Sequence, residues 1–156
     1  MEISKIKTIY KKKDKMHNWS HILCIKRNIK ILRRPYKNID GDLLTFLINF
    51  HGLKEYIIKH KTKFNKSHIK SLLRSHKKPI LIEEKLVYDA NLLDNIGRHG
   101  IKKALYVGSK IGRKESETYK YLKNNLKKVK FYTKIGKKLG KKEAKTMKVL
   151  LKHYEK

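Results

Sequence analysis

Six side chains in the first two-thirds of the chain could carry metal or acid–base chemistry: His21, His51, His68, His76, Asp89 and Asp94. Neutral imidazoles bind zinc and move protons near neutral pH. Carboxylates offset the charge of a divalent ion, and hard ions such as magnesium and manganese prefer oxygen ligands. The stretch LVYDANLLDNIGRHGI, residues 86–101, reads as a helix ending that carries two aspartates, with Asn91 where a third acid would make a dense metal site. Five residues turn a helix through about 140°, so Asp89 and Asp94 cannot both face one ion. A softer, zinc-like set of His51, His68, His76 and Asp89 stays open, with His21 as a further imidazole. Against it stands a plainer reading, in which Asp89 and Asp94 cap helices or pair with nearby Lys and Arg.

The elements that must hold these residues are helices. Ile22, Ile25, Ile29 and Leu32 recur at helical spacing, which predicts a helix from Asn18 or Trp19 to Arg34, stopped by Pro35. A second helix follows NIDGD and carries Leu43, Leu44, Leu47 and Ile48 towards His51. A third covers Lys66 to Ser75, and a fourth Ile82 to Ile96 with Gly97 as its cap. Two more are expected over Ser116 to Lys130 and Lys141 to Tyr154. The fold class is therefore all-α, with no strand expected. A chain of 156 residues makes one domain the default.

These segments together carry a family likeness. HNWSHILCIKR, then LLTFLINFHGL, then HIKSLLRSHKKPILIEEKLVYDANLLDNIGRHGI resembles the HD-domain family of metal-dependent phosphohydrolases. The tail LKKVKFYTKIGKKLGKKEAKTMKVLL is similar to that family's last two helices, so the resemblance covers residues 17 to 154. It implies a compact, HD-domain-like bundle of about six helices over 17–156, preceded by a basic arm over 1–16. In the family two histidines and two aspartates hold one divalent metal, which polarises a phosphoryl oxygen and makes bound water the nucleophile. Carried over, His21 and His51 take the two imidazole positions. The aspartate that should follow His51 is Gly52, and the last ligand falls on Asn91. His17 is followed by Asn18, where relatives often have Asp. Both carboxylate ligands are gone, so His21, His51, Asp89 and Asp94 read as vestiges, no metal is expected, and the chain is read against being an enzyme.

Charge then becomes the better guide. Lys and Arg number 42 against 13 Asp and Glu, a net charge of +29. Residues 1–40 carry +9, residues 41–100 only +5, and residues 101–156 +15. Such an excess repels itself and calls for a polyanion. Heat-adapted lysine surfaces usually balance Lys with Glu, which this chain does not. The helices look committed to a core rather than to a lipid face, and no base-reading motif for DNA stands out. Lysine clusters interleaved with Tyr and Phe suit structured RNA, where phosphate contacts and shape dominate. The expected function is a catalytically inactive HD-fold protein bound to RNA, most of all ribosomal RNA and ribosomal proteins. Expected contacts are Lys11, Lys12 and Lys13, Arg33 and Arg34, and Lys137, Lys138, Lys141 and Lys142. The alternative is a metal-dependent phosphohydrolase acting on a nucleotide or another phosphorylated substrate, and it alone needs zinc, manganese or magnesium. The lone Cys24 excludes an internal disulfide, the N-terminal stretch is too charged for a signal peptide, and a cytoplasmic place without membrane partners is expected.

Overall fold

The computed structural model describes residues 3–13 and 18–154. All regular structure among the described residues is helical, with no strand, as the periodicity demands. No described helix is long and apolar enough to cross a membrane. The chain divides into two compact units, Met1–Ala90 and Asn91–Lys156.

The first unit holds α1 (Ile3–Lys11), α2 (Trp19–Leu32), α3 (Gly41–Phe50), α4 (Lys54–Lys59) and α5 (Lys66–Arg74), and it includes the start of α6 (Ile82–Asp94). Helix starts follow side-chain caps. The Asn18 side chain accepts from the Ser20 N–H at 2.9 Å, Asp40 from Leu43 at 2.9 Å, and Asn65 from Ser67 at 2.8 Å. The apolar stripe of α2 is buried throughout at Ile22, Ile25, Ile29 and Leu32, as its spacing predicts. The expected basic arm is different: within residues 1–16, helix α1 buries Ile6 and Tyr10, one turn apart, and packs on α2. Two buried residues four apart suffice to dock a short helix whose other positions are lysine-rich. Glu84, completely buried at the third position of α6, pairs with Arg74 of α5 and accepts from the Ile80 N–H at 2.8 Å. It thereby ties the loop over residues 75–81 to both helices.

The second unit contains α7 (Gly97–Lys110), α8 (Glu115–Leu126) and α9 (Lys134–His153) around Ile101, Tyr119, Leu122, Phe131, Met147 and Leu151. Helix α6 stops at Asp94, earlier than expected, and Gly97, at φ +69°, turns the chain straight into α7. Helix α9 begins at Lys134, not Lys141, because Thr133 accepts from the Gly136 N–H at 3.0 Å. The Phe131 ring lies so close over Gly140 that no side chain fits there.

Candidate functional site

The histidines of the first unit divide into two sets. His21, in the first turn of α2, and His51, capping α3, are both buried, with ring centroids 5.6 Å apart. His76 stacks on His51 at 4.1 Å, and its Nε2 donates to the His51 carbonyl at 3.1 Å. That bond fixes the proton on Nε2. His68 goes elsewhere, against Phe46 at 5.2 Å. Among the described residues, no three metal-ligating side chains are gathered as a site. The set of His21, His51, His68, His76 and Asp89 is therefore not brought together; His68 follows the aromatic cluster of Phe46, Phe50 and Phe64 instead. His17 lies outside the described residues.

Burial pushes the His76 imidazole down to about 4, with help from the Lys54 charge and from His21, against the pull of the His51 carbonyl. In the unfolded chain it protonates near 6.5. Its neutral form thus belongs to the fold, which holds its full stability above pH 6.5 and loses it as pH falls from 6.5 towards 4. The total is about 3 kcal/mol. In His76→Gln that acid-side loss is expected to shrink markedly, as urea midpoints at neutral and at weakly acidic pH will register. Equal losses in variant and parent would show that another group causes the slope.

At position 52, where the family resemblance places a carboxylate, stands the phenol of Tyr10. Its hydroxyl donates to the Asn49 carbonyl and accepts from the Gly52 N–H, each at 3.1 Å. The ring is completely buried, and burial raises the phenol to about 12, only partly offset by the Gly52 bond. A Cβ added to Gly52 would lie 3.3 Å from the ring. Asp89 is completely buried. In the second unit Asp94 meets Lys103 at 2.7 Å and His99 at 3.3 Å, so for this residue the plainer reading of ion pairing holds. Asn91 accepts from the Asn95 side chain at 2.8 Å through its carbonyl.

Beside the histidines opens a cavity of about 350 Å³, lined by Lys13, His51, Gly52, Lys54, Tyr56 and His76 among others. Burial, then the charge of Lys77, lowers the Lys54 ammonium below its ordinary value. Glu55 is the one carboxylate on its wall, so the cavity favours anions.

The basic residues expected from sequence are all exposed. Lys11 closes α1, Lys12 and Lys13 follow it, and Arg33 caps α2 with Arg34 next. Helix α9 carries more than the expected four. Lys134, Lys137, Lys138, Lys141, Lys145, Lys148 and Lys152 recur at helical spacing on one exposed face, with Lys142 at its flank. At 1.5 Å per residue this face runs about 27 Å. Its one acid, Glu143, is turned towards Gly97, and the opposite face buries Gly136, Gly140, Met147 and Leu151. Sequence reasoning missed Lys134, Lys145, Lys148 and Lys152 by starting the helix seven residues late; Thr133 as a cap was the available signal.

No protein-family model and no curated protein matches the chain. Solved structures do. The Lin1889 protein of Listeria innocua is 24% identical, with a TM-score of 0.70 over 100% of this chain and 97% of that one. Bacillus subtilis YpgQ, in complex with ADP, is 16% identical, with a TM-score of 0.75 over 98% of this chain and 90% of its own. A protein of Lactobacillus plantarum is 16% identical, at 0.67 over 98% and 94%. This chain shares their fold.

Proposed function

We propose that this chain is a catalytically inactive, HD-like helical protein that binds structured RNA, as a ribosomal or ribosome-associated component. The observation that carries the reading is the unneutralised lysine face of α9. Its lysines stand one turn apart, a spacing that lets successive ammonium groups meet successive phosphates. Each contact releases condensed counterions, so affinity comes from charge and shape and needs no base readout. Against hydrolysis speaks the donor set: Gly52 with the Tyr10 phenol, and Asn91, stand where carboxylates would be needed. Two imidazoles with a phenol and an amide do not fit a hard divalent ion, and no step through a metal is derived.

Sedimentation of native lysate through sucrose gradients at rising salt tests the reading. The chain is expected to travel with one ribosomal subunit, near-stoichiometrically, through a wash that strips loosely held cationic proteins. Its staying at the top of the gradient in low salt would sink the ribosomal assignment.

A second reading, a nucleotide-sensing pocket without hydrolysis, draws on the cavity with Lys13 and Lys54 on its wall and on the likeness to YpgQ, solved with ADP. Nucleotide retained on the protein after purification in high salt would favour it over RNA binding.

A further inference from the structure

Trp19 opens α2 and is the chain's single tryptophan. Its half-buried indole lies with its centroid 5.8 Å from the Tyr10 ring, tilted by 56°. Two cations converge on it: Lys7 Nζ from α1 at 5.5 Å, and Lys26 Nζ, two turns along α2, at 5.1 Å. Elsewhere Lys110 lies over Tyr106 and Arg113 over Tyr121, one cation to a ring. One ammonium on a ring is a common stabilising contact. Two on the same ring repel each other, and an anion between them would relieve that repulsion. Burial, and after it the charge of Lys7, holds the Lys26 ammonium below its ordinary value.

Resting on the RNA-binding reading, we infer that Trp19, Lys7 and Lys26 form a site for one unpaired RNA nucleotide, with its base against the indole and its phosphate between the two ammonium groups. Aromatic stacking accepts any base, and the paired cations select the phosphate. The site differs in kind from the α9 face: lysines alone hold duplex backbone, whereas Trp19 needs a base that is free of a partner strand.

The sole tryptophan reports directly on this site. The full chain is titrated with a short oligoadenylate and with a fully paired RNA duplex of equal charge, while binding is followed by anisotropy of labelled RNA and site occupancy by indole emission. Oligoadenylate is expected to quench the emission saturably, whereas the duplex binds and leaves it unchanged. Lys7→Gln together with Lys26→Gln should weaken oligoadenylate binding on the order of tenfold and lower its salt slope by about two, with duplex affinity kept. Circular dichroism confirms that the variant is folded, and Trp19→Phe, which keeps a ring, should retain most of the oligoadenylate affinity. Unchanged emission at saturating oligoadenylate overturns the site while leaving RNA binding in place, as does equal quenching by the duplex. Binding of neither RNA overturns the site and the RNA reading together.

Discussion

Replacing Lys137, Lys138, Lys141 and Lys142 together by glutamate is expected to lower the affinity for folded RNA by at least about a hundredfold near physiological salt. It should also flatten the dependence of log affinity on log salt by about four. All four side chains are exposed, and Glu and Lys have similar helix propensities, so α9 should keep its helicity. The remaining lysines of that face would hold part of the non-specific binding, which is why the slope is the more telling quantity. Filter binding at four or five salt concentrations measures it. A slope that stays at the parental value would place the RNA interface elsewhere, with the basic cluster at Lys11, Lys12 and Lys13 and the pair Arg33 and Arg34 as the next surfaces to reverse.

The largest loss of stability is expected from Glu84→Ala. The carboxylate is completely buried and holds Arg74 and the Ile80 N–H, with Leu81 N–H more distant at 3.4 Å. Removing it leaves the guanidinium unpaired and a backbone donor unsatisfied, which together cost about 3–5 kcal/mol. Burial alone would raise this carboxyl. Hydrogen bonds from Arg74, Ile80 and Ser71, and the Arg74 charge, bring it below its ordinary value. A carboxyl lowered in the fold contributes stability above its unfolded value near 4.5, and that contribution is lost as pH falls through the folded value. Urea unfolding at pH 7 will show the loss, and Glu84→Gln, which keeps an acceptor, should lose less. If both variants unfold at the parental midpoint, the loop over residues 75–81 is held by something else.

The helices of this chain differ in how plainly they announce themselves. Helices α2, α3, α5, α6 and α8 carry apolar residues at helical period between recognisable caps and breaks. Helix α7 hides because it contains Gly97, Gly100 and Gly108, which local rules read as breakers. Here the close approach of the Asn95 backbone leaves no room for a side chain at 100, and Thr118 leaves none at 108. Helix α1 hides because only Ile6 and Tyr10 mark its buried face. The site shows the same division. His21, His51 and His76 could be singled out by type and position, and they do meet. That Tyr10 fills the space beside Gly52 depends on a contact across 42 positions of sequence, which no local pattern encodes.

That contact also bears on how the chain could change over evolutionary time. Any side chain newly acquired at position 52 begins with its Cβ against the Tyr10 ring. A mutation there would disturb the phenol that joins α1 to the turn after α3 before it could supply any new chemistry. Removing Tyr10 first would open a cavity and strand two backbone groups in the interior. Neither order gives a neutral first step. The pair Tyr10 and Gly52 therefore acts as a ratchet: once set, it makes the return of a carboxylate at this position a two-mutation path through a less stable protein.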